Sequence, residues 1–444
     1  MPIEIEDYLA GKTAPFATDV AKDHLEQRAF VVMCALDDAA MDIHPSVKTR
    51  IAGLSAALGP LQTAMKAART ADGRYGYVAN VGSVIAKGQL TSRRVQNESD
   101  EANGANLDSQ FEYLTVVADP TPHSVRFLVV PPYQFGMSDT MAQKLGIAPI
   151  AEDADDLTFT ASSRSGRGYL DARPTNPDAL GQRMAEAVAH LLDRGVGVVA
   201  LPELVSSGSA IATLQKRLRS RPSSGHTPIL VCGSGLSTDP CPSTGRFFNE
   251  ATVLTGRGKV LFKQQKIHPF NMAPRRMEQC RVASDPLHPG KPHMEDIAAA
   301  TVLTVCDLPD LGRIIVMICE DFEQAQPTGV LAFSTRPDWI FAPVLDVSLD
   351  LGRWGHQRCI EIGRRTLSRI VVTSSATLSV RREGKKELVE TPADKVGIGI
   401  LYDGHAGRRV KRLIPDLTSA RPQTVYVDWD SSNWPQDDVG QRPA

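Results

Sequence analysis

The chain beyond about residue 110 alternates between short apolar runs and polar connecting segments. Several of the runs are continuously apolar and rich in β-branched residues, which is typical of strands that are covered on both faces. The predicted strands are residues 124–130, 197–201, 228–232, 250–254, 313–318, 339–342, 369–373, 397–401 and 424–427.

Amphipathic stretches lie before and between these strands. Apolar residues recur at three- and four-residue steps over 47–69, and the same period predicts helices over 178–194 and 353–367. Apolar strands alternating with such helices favour a layered α/β domain. The polar segment 87–110 predicts a boundary. We therefore divide the chain into an N-terminal extension of unknown role (1–118), a main domain (119–430) and a C-terminal tail (431–444), and interpret 137–177 as an insertion.

Charge and cysteine content limit the classes of protein to consider. The sequence has 49 Lys and Arg against 51 Asp and Glu, so no basic excess favours nucleic acid or an anionic membrane as a partner. The seven cysteines form no CxxC pair, which indicates a reducing compartment. The N-terminal residues lack the apolar core of a secretory signal, and the apolar runs fall short of the roughly 20 residues that span a membrane. We expect a soluble, cytoplasmic protein.

Three of the strand ends carry reactive side chains. Glu203 follows the run VVALP, Lys266 lies in the turn KIHP, and Cys319 ends the run RIIVMIC. Each residue alone fits a structural or surface role, but active sites of α/β proteins commonly lie at strand ends. A thiol with an ordinary pKa of about 8.5 is mostly protonated at neutral pH, so a nucleophilic cysteine needs a base and a cation. Glu203 can accept the thiol proton, and Lys266 can stabilise the thiolate and a developing oxyanion.

Other residues near these strand ends are weaker candidates. The backbone N–H of Glu320 follows the cysteine and can contribute to an oxyanion site. His268 lies two residues after the lysine and can tune it, or it can simply pack in the turn. The chain has neither an HExxH nor a GxxxxGK[ST] motif, so we predict no metal and no cofactor.

The same residues resemble a known family. VVALPE, KIHP and ICED are similar, in this order, to the segments that carry the Glu-Lys-Cys triad of the nitrilase (carbon-nitrogen hydrolase) superfamily. The segments FNEA (248–251) and GIGILYDGHAG (397–407), and the helix with Trp354, Arg358 and Glu361, also resemble family motifs. The resemblance covers about residues 120–430. It implies a four-layer α-β-β-α sandwich, here behind a partly helical N-terminal extension, and a homodimer or larger homo-oligomer.

Two further matches follow from the resemblance. Many family members use a second glutamate after the lysine, for which Glu278 is the match, although its position equally suits a solvated acid. The strand 124–130, followed by Gln134, is the match for the first strand of the family fold.

The predicted function is that of an enzyme, a carbon-nitrogen hydrolase of the amidase or nitrilase type. It would cleave a non-peptide carbon–nitrogen bond of a small amide or nitrile through a thioester on Cys319, with no cofactor, nucleic acid or membrane partner. A glutaminase-type subunit that supplies ammonia to a partner protein is one alternative. An oligomeric scaffold or regulatory module on the same fold is another, but the presence of all three reactive residues argues against an inactive protein.

Overall fold

The computed structural model describes residues 75–79, 84–86, 114–116, 124–130, 136–221, 227–282, 290–404, 409–417 and 422–429. The helix predicted over 47–69, the C-terminal tail and Gln134 lie outside these residues.

Strands contain more of the described residues than helices do. They are β1 (Tyr75–Ala79), β2 (Val84–Ala86), β3 (Leu114–Val116), β4 (Ser124–Val129), β5 (Lys144–Ile147), β6 (Leu157–Arg164), β7 (Arg167–Pro174), β8 (Val198–Ala200), β9 (Ile229–Pro240), β10 (Phe247–Thr255), β11 (Val260–Gln265), β12 (Asn271–Met272), β13 (His293–Glu295), β14 (Val302–Leu308), β15 (Gly312–Val316), β16 (Trp339–Val344), β17 (Arg369–Ser374), β18 (Gly399–Asp403), β19 (Arg409–Leu413) and β20 (Val425–Asp428).

The helices connect these strands. They are α1 (Asp139–Ala142), α2 (Pro177–Asp193), α3 (Gly208–Arg219), α4 (Pro274–Gln279), α5 (Glu320–Glu323), α6 (Val330–Thr335), α7 (Trp354–Thr366) and α8 (Thr377–Arg382), with a π-helical turn at Ala325–Gly329 and 3-10 turns at Leu388–Glu390 and Ala393–Lys395. Among the helices that the structure describes, none combines the length and the apolar character needed to cross a bilayer.

Two large sheets form the centre of the molecule. One has eight strands in the order β1-β4-β14-β15-β16-β17-β18-β19, and the other has six in the order β11-β10-β9-β8-β5-β20. The sheet β12-β13-β7-β6 and the pair β2-β3 are smaller. Every strand predicted from the sequence coincides with a strand here, because continuous apolar runs identify backbone that is buried on both faces.

Side-chain alternation shows how the layers pack. In β8, Val198 and Ala200 point into a core that also contains Val305 and Ile315 of the eight-stranded sheet. Val199, between them, belongs to a second core formed with α2 and α3. Helix α7 contacts β17 and β18 of the eight-stranded sheet. Helices therefore cover both outer faces of two stacked sheets, and the predicted α-β-β-α sandwich is confirmed.

The strand matched to the first strand of the family fold does not lie beside β8. Strand β4 lies in the eight-stranded sheet, parallel to β14, whereas the neighbour of β8 in the six-stranded sheet is β5. Lys144–Ile147 falls inside the segment interpreted as an insertion, so that segment carries a core strand. Four residues are too few for a periodicity to identify, which is why the pattern did not reveal it.

Part of the predicted N-terminal extension joins the same sheet. Strand β1 pairs antiparallel with β4 over five residue pairs, from Tyr75 opposite Val129 to Ala79 opposite Val125. The extension therefore supplies an edge strand to the eight-stranded sheet.

Candidate active site

Three strand ends bring the predicted residues together. Glu203 follows β8 and Lys266 follows β11, both in the six-stranded sheet, whereas Cys319 follows β15 in the eight-stranded sheet and directly precedes α5. The side chains meet between the two sheets, and Glu203 and Lys266 are 2% and 1% exposed. This burial removes the competition of bulk water for their charges.

Lys266 lies between two carboxylates. Its Nζ donates to Glu203 Oε1 at 2.8 Å and to Glu295 Oε2 at 2.6 Å. Asn249 Nδ2 donates to the same pair of side chains, at 2.9 Å to Glu203 Oε1 and 2.9 Å to Glu295 Oε1. The backbone N–H of Phe270 adds a third donor to Glu295, at 3.0 Å. The buried carboxylate of Glu203 and the partly buried one of Glu295 are thereby each fixed by several donors, as charges removed from water require.

Cys319 has the backbone conformation of a strained turn. Its φ of 48° and ψ of −102° are unusual for a residue with a side chain, and such strain is commonly found at functional sites. The backbone N–H of Cys319 donates to Pro343 O at 2.9 Å. The Cys319 sulfur lies beside the Glu203 carboxylate, and both line one pocket with Lys266 and Leu345. The cysteine is therefore held with its sulfur against the carboxylate.

The charges of Glu203 and Lys266 shift each other's pKa and that of the Cys319 thiol. Burial raises the pKa of Glu203, against the opposing charge of Lys266. Burial also raises the pKa of the Cys319 thiol well above its usual value, and the Glu203 charge raises it further. For Lys266, burial lowers the pKa, but Glu203 and Glu295 outweigh it and raise the pKa well above the usual value. The resting cluster is thus a neutral thiol beside an ammonium, with a carboxylate that is a stronger base than a free one.

The other sequence candidates have different surroundings. Glu320 begins helix α5, so its backbone N–H lies beside the cysteine as expected. His268 is linked to Asp321 rather than to the lysine, with 3.0 Å between His268 Nδ1 and Asp321 Oδ1. Glu278 is exposed on α4 and does not lie in the cluster; the second glutamate is Glu295 instead. The predicted match fails because Glu278 is exposed on α4, whereas β13 brings Glu295 to Lys266.

Sequence reasoning missed three further residues that shape the site. Asn249 lies in the FNEA segment, which resembles a family motif but did not indicate a role for the asparagine in the site. Asp321 accepts the backbone N–H groups of Ile267, at 3.0 Å to Oδ1, and of His268, at 2.7 Å to Oδ1, so it connects the lysine turn to the cysteine turn. Glu295 has no local motif that could have identified it.

The cluster opens into a small pocket. Its cavity volume is about 40 Å³, room for roughly three water molecules at 10–15 Å³ each. The described residues that line it are Phe159, Leu170, Ala172, Glu203, Leu204, Lys266, Phe270, Met272, Glu295, Cys319 and Leu345. A nucleophile, a base and a cation therefore face one small cavity.

Comparison with known proteins gives matches in structure only. No protein-family model and no curated protein matches the sequence. Solved structures that match include an amidase of the nitrilase superfamily from Nesterenkonia AN1, with 13% identity over 66% of this chain and 92% of the other and a TM-score of 0.39. Nit3 of Saccharomyces cerevisiae, a member of branch 10 of the nitrilase superfamily, matches with 15% identity over 66% of this chain and 93% of the other, at a TM-score of 0.36.

A glutamine-dependent NAD+ synthetase from Acinetobacter baumannii also matches, with 13% identity over 64% of this chain and a TM-score of 0.40. The chain spans 44% of the length of that synthetase. These matches include members of the superfamily whose motifs the sequence resembles.

Proposed function

We propose that the protein is a carbon-nitrogen hydrolase of the nitrilase superfamily, which cleaves a small amide through a thioester on Cys319. The observation that carries the proposal is that Cys319, Glu203 and Lys266 line one pocket, with the buried Glu203 carboxylate accepting from Lys266 Nζ at 2.8 Å. A thiol, a base and a cation around one cavity match the requirements of nucleophilic catalysis.

The first half-reaction forms the thioester. The Cys319 sulfur attacks the amide carbon while the thiol proton passes to Glu203, and the carbonyl oxygen becomes an oxyanion that Lys266 and the Leu345 and Glu320 N–H groups can stabilise. Glu203 then returns the proton to the nitrogen, the carbon–nitrogen bond breaks, and the amine leaves.

The second half-reaction consumes water. Glu203 accepts a proton from a water molecule as its oxygen attacks the thioester carbon. The carbon–sulfur bond breaks, the acid leaves, and the sulfur regains a proton from Glu203. One water is used for each amide, and the site returns to its starting state.

The test is whether the acyl-enzyme on Cys319 disappears when the catalytic residues are substituted. Wild-type protein mixed with a pool of small primary amides and quenched in acid should show an acyl mass increase on the peptide that contains Cys319. Cys319→Ala should abolish both the adduct and ammonia release, and Glu203→Gln should block formation as well as breakdown of the thioester. Cys241→Ser, in the turn between β9 and β10, is the matched control and should retain full activity. Full activity of Cys319→Ala would refute the proposal.

The expected homo-oligomer and the cytoplasmic location stay predictions.

A further inference from the structure

The hairpin of β6 and β7 has one polar and one apolar face. Directly opposed residues of an antiparallel pair point to the same side of the sheet. The pairs Phe159–Ala172 and Ala161–Leu170 therefore share one face. The alternate positions face the other way and are polar or charged, as in the pair Thr160–Asp171. This hairpin lies within the segment interpreted as an insertion.

The apolar face is fixed beside the catalytic cluster. Strand β7 runs parallel to β13, with Leu170 opposite Glu295, and the backbone N–H of Asp296 donates to Leu170 O at 2.9 Å. Leu170 also packs in a small core with Met272 and Val347. The hairpin is thus part of the sheet that carries the second glutamate.

The pocket lining separates into two chemical groups. Its charged members are Glu203, Lys266 and Glu295; Lys266 pairs with both carboxylates, and Asn249 donates to both. The other described members, apart from the nucleophile, are apolar: Phe159, Leu170, Ala172, Leu204, Phe270, Met272 and Leu345. Among the described lining residues, no charged side chain lies outside this catalytic cluster, so none is placed to bind a charged acyl group.

We propose that the β6–β7 hairpin is the specificity wall of the site, and that the substrate is a primary amide with a short, uncharged, apolar acyl group. The inference rests on the proposed function and adds the substrate class to it. A cavity of about 40 Å³ suits an acyl chain of about three carbon atoms beyond the carbonyl group, as in butyramide.

The physical basis is the free energy of desolvation. A carboxylate or ammonium carried into an apolar pocket loses its hydration and gains no partner, at a cost of several kcal/mol. Because each factor of ten in rate corresponds to about 1.4 kcal/mol, discrimination against a charged acyl group should reach about 100-fold or more. Glutamine carries both an ammonium and a carboxylate, so the wall disfavours the glutaminase alternative.

A substrate series tests the wall. Ammonia release by the full-length protein should be at least about 100-fold faster, as kcat/KM, with butyramide than with succinamate or glutamine. Ala172→Arg places a cation in the wall and should shift the succinamate-to-butyramide ratio upward by at least tenfold. Thr160→Arg adds the same side chain to the exposed face of the same hairpin and should leave the ratio unchanged.

Alkylation tests the wall without turnover. Iodoacetamide and iodoacetate differ mainly in charge. Peptide mass spectrometry gives the ratio of their alkylation rates at Cys319, which can be compared with the ratio at Cys241. Cys241 is solvent-accessible, and hydrogen bonds from Ser243 and Thr244 lower its pKa to about 7, so it reports the reactivity of the reagents outside the pocket. The preference for iodoacetamide should be at least tenfold greater at Cys319.

The outcomes distinguish the two proposals. Equal preferences at the two cysteines would overturn the wall, because an apolar wall must disfavour the charged reagent. Hydrolysis of succinamate or glutamine within tenfold of butyramide would overturn the wall and leave the hydrolase. A neutral preference in alkylation with no amide hydrolysed would overturn the hydrolase and leave the wall.

Discussion

The buried ammonium of Lys266 pairs with two carboxylates, so its removal should lower the free energy of unfolding. The Lys266→Met substitution keeps the approximate length of the side chain but removes the charge that lies 2.8 Å from Glu203 Oε1 and 2.6 Å from Glu295 Oε2. Removing one partner of a buried ion pair costs about 3–5 kcal/mol, because the other charge stays buried without compensation. Since two carboxylates share this cation, we expect a loss near 5 kcal/mol in the free energy of unfolding at neutral pH.

Strand β11 provides a matched control. Lys263 lies three residues earlier and its Nζ is 2.7 Å from Glu250 Oε1, but its side chain is 50% exposed. An exposed pair contributes about 0–1 kcal/mol. Lys263→Met should therefore be almost neutral, although the residue type, the strand and the substitution are the same.

The loss of stability in Lys266→Met should depend on pH. Burial already raises the pKa of Glu203, and without Lys266 the pKa should rise further. A carboxyl group whose pKa is raised by folding contributes stability fully below its unfolded pKa of about 4.3, and that stability is lost as the pH rises through the folded pKa. The deficit of Lys266→Met relative to wild type should therefore be smallest at acid pH and grow as the pH increases.

Urea denaturation followed by circular dichroism, at several pH values between 5 and 8, measures this deficit. The reasoning is refuted if Lys266→Met and Lys263→Met lose equal stability at pH 8, or if the deficit of Lys266→Met is the same at pH 5 as at pH 8.

Two further predictions concern the residues around the cluster. Glu295→Gln removes a charge that Lys266 contacts and should lower kcat/KM at least tenfold, about 1.4 kcal/mol, whereas Glu278→Gln should have no effect; equal effects in steady-state assays would argue against Glu295. Asp321→Ala leaves the backbone N–H groups of Ile267 and His268 without their acceptor and should reduce the free energy of unfolding by about 2–4 kcal/mol, as measured in urea. Asp321→Asn keeps an acceptor oxygen and should lose less, so a larger loss for Asn than for Ala would contradict this account.

Local sequence patterns predicted the strands well because a strand that is buried on both faces is apolar at consecutive positions. Runs such as RIIVMIC and VVALP identified the strands that lead to Cys319 and Glu203, and their order indicated the family resemblance. The same reasoning failed for β5, which has four residues, and for the hairpin, whose half-exposed strands were interpreted as an insertion. Short or partly exposed strands carry too few residues to establish a period.

The second glutamate illustrates a different limit. Glu278 lies twelve residues after Lys266 along the chain, yet the carboxylate on the ammonium is Glu295. Its place follows from the pairing of β13 with β7 and β12, a contact between distant segments.

The sequence by itself determined the layered α/β class, the positions of the apolar strands, and the three reactive residues at strand ends, because these follow from local periodicity and from chemistry that each residue type carries. Only the tertiary structure decided which strand lies beside β8, which glutamate meets Lys266, and which apolar side chains face the thiol. Strand pairing fixes these choices. Strands pair through backbone hydrogen bonds, which every residue type except proline can form, so the local sequence does not identify the partner strand.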